Sequence, residues 1–421
     1  MNLFSAFTLV SFRWYMGAML FWNAAMSMQM IVRGYLAYDL TGTFASLGII
    51  VIGGGIPTLL LSPFGGIFAD RFSKRLLLQI GQTFSLFLSL AVGLLVLFES
   101  LIFFHLVIAS IVQGMVMSLV MPARVAILPE VVGLGRLNNA VPLNSAGMNL
   151  MQMIGPAIAG VGIDIAGAEF VYLLIAILYA LSVGMLFKIT ILSKEEIMVS
   201  DPHSFSKSSS LQVADNVVAK KNSAWQDLFE GIRYLFRDKL IFTVLLFSFF
   251  STFLGMPIRA LLPGYVADVF GDSGTTLGIL QMGMGIGALL GALVLANMRM
   301  RKFRGLLYAT SAIVIGIGLV SVSLTSLFLF GFVGFAIVGI GSAGRQAIGQ
   351  ILLQEYVDST FRGRIMAIYM MQFSLMGFGS FGIALLMDIW GPQLVVRLLG
   401  LILIAGVLIY LTFDSRLRKI A

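Results

Sequence analysis

The sequence predicts an all-α membrane protein with twelve transmembrane helices, arranged as two pseudo-symmetric six-helix bundles. Three observations lead to this fold class. Hydrophobic residues make up 59% of the 421-residue chain, twelve apolar stretches fill almost all of it, and features repeat in order between its two halves. Charged residues amount to only 11%, which excludes an ordinary soluble domain.

Each apolar stretch is long enough to cross a bilayer, which takes about 20 residues. The first contains Asn23, Gln29 and Arg33 and is too long for a cleaved signal peptide, so we take it as the first transmembrane helix. An N-terminal bundle at 1–190 and a C-terminal bundle at 239–421 follow from the spacing. The predicted helices 1 to 12 lie at about 14–38, 44–68, 76–98, 101–123, 140–163, 170–190, 240–266, 275–297, 305–323, 326–347, 364–387 and 393–413.

The segment at 191–238 joins the two predicted bundles. Its first part is rich in Ser, Lys and Asp, which is typical of a flexible cytoplasmic linker. Its second part places Trp225, Leu228, Ile232 and Leu235 on one face of a helix. We expect this amphipathic helix to lie in the headgroup plane or to pack against a bundle.

The basic residues are concentrated at one face of the predicted membrane domain. The chain has 27 Lys and Arg against 19 Asp and Glu, a net charge of +8. Most of the basic residues fall on the side that carries the linker, whereas Asp39, Asp164, Asp268 and Asp388 fall on the other. Because cytoplasmic loops carry an excess of Lys and Arg, we expect a multi-pass protein of the cytoplasmic (inner) membrane with both termini in the cytoplasm. The charge therefore reflects topology and predicts no nucleic-acid partner.

The residue types needed for catalysis or metal binding are scarce in this sequence. There is no cysteine, and the two histidines, His105 and His203, lie far apart without ligand spacing. No Ser/His/Asp set or phosphate-binding loop appears. We therefore expect no enzyme activity, no metal and no cofactor, and we expect a monomer.

Several features recur in the same order in both halves, as in transporters built from repeats. Arg13 and Lys239 each open a half, and Arg33 and Arg259 follow them at the same spacing. A six-plus-six duplication explains this order. Three further pairs match: Ser46-Leu-Gly48 with Thr276-Leu-Gly278, glycines at 53–55 with glycines at 283–287, and Pro129-Glu130 with Gln354-Glu355.

The hairpin between helices 2 and 3 reads Gly66-x-x-x-Asp70-Arg71-x-x-Lys74-Arg75. It resembles the signature loop of the major facilitator superfamily, a family of two-bundle transporters. The resemblance implies an inner latch that holds the bundles together at the cytoplasmic side. In this latch, Asp70 would face the start of helix 11 beside Arg362 and Arg364.

Helix 5 carries the element Gly155-Pro156-Ala-Ile-Ala-Gly160. It resembles in part the Gly-Pro element of the superfamily's antiporters. Small residues and a proline permit close helix contact and a bend. The resemblance implies antiport, with uniport as the alternative, and we expect the proton to be the coupling ion.

Further segments resemble the enterobactin-exporter-like and macrolide-efflux-like branch of the superfamily. They are the helix 1 exit at 29–42, the stretches at 122–130 and 137–145, and Arg362-Gly-Arg364-Ile-Met. The branch exports diverse compounds, so the resemblance implies export without identifying the substrate.

The superfamily fold implies a substrate pathway between the bundles. Charged and polar side chains within membrane helices usually face the protein interior or water. The alternative for Arg33 and Arg259 is snorkelling at the outer boundary, and each polar side chain has the alternative of joining helices. The candidate pathway residues are Trp22, Asn23, Met26, Gln29, Arg33, Gln113, Gln152, Thr252, Arg259, Gln281, Gln346 and Gln372.

No carboxylate lies near the middle of a predicted helix, so the candidate for proton coupling lies at a helix end. Asp39, at the outer end of helix 1, is the proposed proton site, with a helix-terminus role as the alternative. The sequence thus predicts a secondary active transporter that exports a small siderophore- or drug-like molecule by alternating access. Two alternatives remain: a lipid or lysolipid translocator, and a non-transporting receptor or scaffold of the same fold.

Overall fold

The computed structural model describes residues 5–191, 224–271, 273–297, 304–358 and 361–413, and no strand occurs among them. Most of the predicted linker, Asp272 and the C-terminal tail lie outside the described residues. The α-helices are α1 Val10–Thr41, α2 Phe44–Arg71, α3 Lys74–Leu97, α4 Phe103–Val132, α5 Leu137–Leu186, α6 Ala224–Arg237, α7 Lys239–Gly255, α8 Pro257–Phe270, α9 Gly274–Asn297, α10 Arg304–Ser323, α11 Phe328–Tyr356, α12 Arg362–Trp390 and α13 Pro392–Phe413.

One helix differs from its predicted span, and another pair agrees. The predicted helices 5 and 6 both lie within the range of α5, and the chain leaves helical geometry between them at Gly167, whose φ of 87° is a conformation that favours glycine. The predicted helix 7 is interrupted between α7 and α8, where Pro257 follows Met256. Proline has no N–H to donate to the preceding turn, which explains the interruption.

Ten of the described helical segments are long and apolar enough to cross a membrane. One of them, Leu134–Leu186, has 53 residues and covers two crossings, and another combines α7 with α8. The long helix Val10–Thr41 is not among the ten, because Asn23 and Gln29 lower its hydropathy. With this helix, the twelve predicted crossings are all represented.

Equivalent helices pack in the same way within each half. In the N-terminal half, α2 approaches α4 so closely that a Cβ on Gly114 would lie 2.2 Å from the Gly54 carbonyl oxygen. In the C-terminal half, α9 approaches α11, and a Cβ on Gly339 would lie 2.1 Å from the Met284 carbonyl oxygen. Small residues at such contacts allow the backbones of membrane helices to approach.

Each half also contains an equivalent ion pair at the basic face. Lys74 Nζ lies 2.5 Å from Glu130 Oε1, joining the start of α3 to the end of α4. Arg304 pairs with Glu355 in the same way, joining the start of α10 to the end of α11. These pairs explain why Pro129-Glu130 and Gln354-Glu355 recur in the sequence.

The amphipathic helix α6 packs against the C-terminal half. The Tyr234 ring stacks on the Phe361 ring with centroids 4.4 Å apart, and Arg364 Nη1 donates to Glu230 Oε2 at 2.7 Å. Phe236, by contrast, is 69% exposed. The helix is therefore bound to the start of α12.

Candidate substrate pathway and the contacts between the halves

Two aspartates from opposite halves join the helices at the acidic face. Asp164, near the kink of α5, accepts hydrogen bonds from the backbone N–H groups of Gly274 and Thr275 at 2.7 and 2.8 Å. It also accepts from the Ser273 hydroxyl at 2.8 Å. The first turn of α9 is therefore capped by a carboxylate of the other half.

Asp388, at the end of α12, makes the equivalent contact with the N-terminal half. It accepts from the backbone N–H groups of Phe44 and Ala45 at 2.7 and 2.9 Å, at the start of α2. Negative charge is favourable at a helix N-terminus, where backbone N–H groups have no partner within the helix. We name these two sets of contacts the acidic-face seal.

Close backbone packing lies beside the acidic-face seal and follows the same symmetry. A Cβ on Gly278 of α9 would lie 2.4 Å from the Pro156 carbonyl oxygen, and a Cβ on Gly48 of α2 would lie 2.8 Å from Phe381 Cα. Gly160 packs against the Gly274 carbonyl oxygen of the other half. Gly155 packs against Ser27 of α1, within its own half. The antiporter-like element thus lies at the contact between the two halves.

Helices α1 and α8 complete the closure of the acidic face. The Tyr38 hydroxyl donates to Asp268 Oδ1 at 2.5 Å. A Cβ on Gly34 would lie 2.8 Å from Pro263 Cγ, so the two helices touch. Asp39, next to Tyr38, is exposed at the end of α1.

The residues predicted to form the inner latch lie at the basic ends of their helices. The Asp70 side chain lies outside the described residues, so its predicted role stays a prediction. Lys74 pairs with Glu130, and Arg75 donates to the carbonyls of Phe187 and Ile189, all within the N-terminal half. A Cβ on Gly66 would meet open space, and Arg71 is exposed. Arg362 donates to the Val357 carbonyl, and Arg364 pairs with Glu230.

Several predicted pathway residues make their described contacts within the N-terminal half. Gln29 donates to Ser89 at 3.2 Å and accepts from the Tyr179 hydroxyl at 3.2 Å. Arg33 is buried beside Tyr172. Gln113 and Asn23 are also buried, donating to the Ser85 hydroxyl and the Met19 carbonyl.

Trp22 is covered by an arginine that the sequence reasoning did not single out. The Arg124 guanidinium lies 4.6 Å from the centre of the Trp22 ring, and it is buried beside Tyr15. A cation over an aromatic face is attracted by the ring quadrupole. The prediction ended helix 4 at 123, directly before Arg124, whereas α4 continues to Val132 and places Arg124 inside the helix.

Thr252 and Gln372, two predicted pathway residues, meet in the C-terminal half. The hydroxyls of Ser248 and Thr252 both donate to Gln372 Oε1 at 2.8 Å. Arg345 Nη1 donates to Ser248 Oγ at 3.4 Å. All four side chains have 0% exposure. We name this set the midplane cluster, and Arg345 is the member that sequence reasoning missed.

The remaining predicted pathway residues differ in exposure. Gln152 and Gln346 are exposed although they lie well inside their helices, as expected of polar side chains that face an aqueous opening. Met26 and Arg259 are half-buried, and Gln281 is buried. In the part of the chain that the structure describes, no group of His, Asp or Glu could hold a metal ion.

Known proteins of similar sequence and fold are membrane transporters. Residues 13–378 and 258–419 match the model of the Major Facilitator Superfamily. The chain is 25% identical to the Staphyloferrin A transporter of Staphylococcus aureus (strain NCTC 8325 / PS 47), over 88% of each protein. It is 22% identical to Macrolide efflux protein A of Streptococcus pyogenes, over 81% of this chain and 80% of that protein. A crystal structure of a mutant peptide transporter POT in complex with sulfate superposes with a TM-score of 0.73 at 12% identity, over 98% of this chain and 96% of that one.

Proposed function

The chain belongs to the Major Facilitator Superfamily, and we propose that it exports a small siderophore- or drug-like organic molecule across the cytoplasmic membrane by alternating access. In this proposal the basic face is cytoplasmic and the acidic face is external. The excess of Lys and Arg on one side supports this orientation.

The observation that carries the proposal is the pseudo-symmetric closure of the acidic face. Asp164 and Asp388 each cap a helix of the other half, and Gly278 and Gly48 each pack on the other half beside that cap. Such contacts can break together when one half rocks against the other, which is the motion that alternating access requires. A receptor or scaffold has no need of two equivalent, separable contacts.

Export as the direction of transport is supported by the relatives. One relative is named a macrolide efflux protein, which supports export; another is named a transporter of staphyloferrin A, which supports transport of a small molecule. Both align over most of this chain. The exposed Gln152 and Gln346 lie between the closed acidic face and the basic face. Substrate would enter from the cytoplasm toward these side chains.

We further propose that a proton moving inward drives export. The antiporter-like element supports this coupling, because Pro156 and Gly160 lie against α9 at the contact between the halves. Asp39 remains the proposed proton site, since it is exposed at the acidic face, from which protons would arrive.

Reconstitution of the purified chain into proteoliposomes tests the function. We expect efflux of a macrolide or a siderophore that is accelerated by a proton gradient, acid on the side of the acidic face, and slowed in Asp39→Asn. Flux that is unaffected by the gradient would contradict proton antiport. Flux of fluorescent lysolipid alone would favour the lipid translocator, and the absence of any flux would favour a receptor or scaffold.

A further inference from the structure

The midplane cluster holds a positive charge that the described residues do not neutralise. Arg345 is wholly buried, and its Nε and Nη2 atoms have no hydrogen-bond partner among the described residues. The ion pairs found in that part of the chain join Lys74 to Glu130, Arg304 to Glu355 and Arg364 to Glu230, and none includes Arg345. A buried charge without a counter-ion is strongly destabilising. In membrane proteins such a residue usually marks a functional site.

The cluster lies at the depth where secondary transporters bind substrates. Arg345 precedes the basic end of α11 at Tyr356 by about three turns, and Gln372 follows the start of α12 at Arg362 by about the same distance. At a rise of 1.5 Å per residue, both lie roughly 15 Å from the basic ends of their helices, near the middle of a hydrocarbon core of about 30 Å.

The hydrogen bonds within the cluster leave donors in excess. A guanidinium can only donate, so Ser248 Oγ accepts from Arg345 and directs its own hydrogen to Gln372 Oε1. Thr252 directs its hydrogen to the same oxygen. This arrangement orients the Gln372 amide so that its Nε2 has no described partner. Among the described residues, Arg345 and Gln372 therefore have N–H groups without an acceptor.

The backbone near the cluster also has the features of a transporter binding site. The break between α7 and α8 falls one turn beyond Thr252. Discontinuous helices form the substrate sites of many secondary transporters, and this break lies on the acidic side of the cluster. Gln346, which follows Arg345 in the chain, is exposed.

We propose that Arg345 and Gln372 bind a carboxylate of the transported molecule, which would make the substrate an organic acid. This inference rests on the proposed function as a transporter. A carboxylate matches the planar fork of a guanidinium and supplies the acceptor oxygens that the cluster lacks. The substrate anion would neutralise Arg345 only while it is bound.

The proposal can be tested by thermal unfolding of the purified full chain with citrate as the probe. We expect citrate to raise the unfolding temperature of the wild type, whereas tetraphenylphosphonium, a cation, does not. Arg345→Gln should weaken the apparent citrate affinity at least tenfold, and Arg345→Lys should weaken it less. Arg397→Gln is the matched control, because Arg397 donates to the carbonyl and hydroxyl of Ser323 in the same half but lies outside the cluster.

A second variant separates anion binding from a purely structural role of Arg345. Gln372→Glu places a carboxylate beside the guanidinium, so it should raise the unfolding temperature without ligand and abolish the citrate response. The proposal is overturned if the wild type does not respond to citrate, if Arg345→Gln responds as the wild type does, or if Gln372→Glu keeps the full response.

Flux measurements distinguish failure of this inference from failure of the proposed function. Export of ethidium, a cation, at the same rate in the wild type and in Arg345→Gln would leave the export function standing and would contradict the carboxylate site. An Arg345-dependent citrate response without flux of any compound would keep the site and contradict export.

Discussion

Single glycine positions determine how closely the two halves approach at the acidic face. Gly278 and Gly48 occupy equivalent places in α9 and α2, and each packs on the backbone of the other half. A side chain at either position would meet atoms that belong to a main chain and cannot rotate away. The closed arrangement therefore requires glycine at both positions.

We expect Gly278→Val to hold the acidic face open, because its Cβ would lie 2.4 Å from the Pro156 carbonyl oxygen. Spin labels at Ile165 and Ile389, which are 79% and 73% exposed in opposite halves, report the separation. The variant should lengthen this distance relative to the wild type. Gly382→Val is the control, since nothing lies within 4 Å of a Cβ there. An unchanged distance in Gly278→Val would show that the halves tolerate the side chain.

Helix ends are where the elements of the two halves are joined. The first turns of α2 and α9 carry unpaired backbone N–H groups, and each receives both oxygens of an aspartate from the other half. The charge and the hydrogen bonds act together at these ends. The seal is thus built from helix caps and needs no basic side chain.

Asp388→Asn should weaken closure, because an amide has one acceptor oxygen and would turn its NH₂ toward a backbone N–H. Loss of a helix cap costs about 1 kcal/mol, which is about a fivefold change in an equilibrium. We expect a fraction of molecules with a longer Ile165–Ile389 distance to appear, and Asp164→Asn should act similarly. Glu99→Gln, which removes an exposed carboxylate at the same face, should have no effect. A response to Glu99→Gln as large as that to Asp388→Asn would point to surface charge instead of capping.

The ion pair between Lys74 and Glu130 should stabilise the basic ends of α3 and α4. Both side chains are 23% exposed, so the pair should contribute up to about 1 kcal/mol. Glu130→Gln should lower the unfolding temperature slightly, and the exchanged pair Lys74→Glu with Glu130→Lys should recover most of the loss. Failure of the exchanged pair to recover stability would assign the effect to packing.

The helices and their order were predictable from hydropathy, whereas their interruptions were only partly so. The sequence predicted separate helices at 140–163 and 170–190, and the chain turns at Gly167 between them. It predicted one continuous helix at 240–266, although Pro257 lacks an N–H and the helix breaks there. Proline is common in membrane helices and does not always break them. The position of the break therefore does not follow from the sequence alone.

The two-fold repeat organises the whole molecule, and only part of it is visible in the sequence. The match of Gly48 with Gly278 was found because the residues are identical. Phe381 does not resemble Pro156, although both face those glycines from the other half. Arg345 was missed because hydropathy and spacing do not report which side chains meet across helices. Sequence similarity between the halves reveals the repeat. It does not reveal which residues contact each other between the halves, because those contacts form only when the two bundles pack together.

The acidic-face seal and the predicted inner latch should act in opposite directions on the equilibrium between molecules that are closed and molecules that are open at the acidic face. Asp70→Asn should favour molecules that are closed at the acidic face, and Asp388→Asn should favour molecules that are open there. Because each change shifts the same equilibrium by an energy of about 1–3 kcal/mol, the double variant should lie between the two single variants. The shifts should add, since the residues lie at opposite ends of the helices.

Spin-label distances at both faces measure the opposite shifts expected of Asp70→Asn and Asp388→Asn. The Ile165–Ile389 pair reports the acidic face, and labels at the exposed Leu134 and Lys239 report the basic face. In Asp70→Asn the distance at the basic face should lengthen, and in Asp388→Asn it should shorten as the distance at the acidic face grows. A double variant that behaves as Asp388→Asn alone would show that Asp70 does not hold the basic face closed. The basic residues of the hairpin would then serve mainly to orient the chain in the membrane.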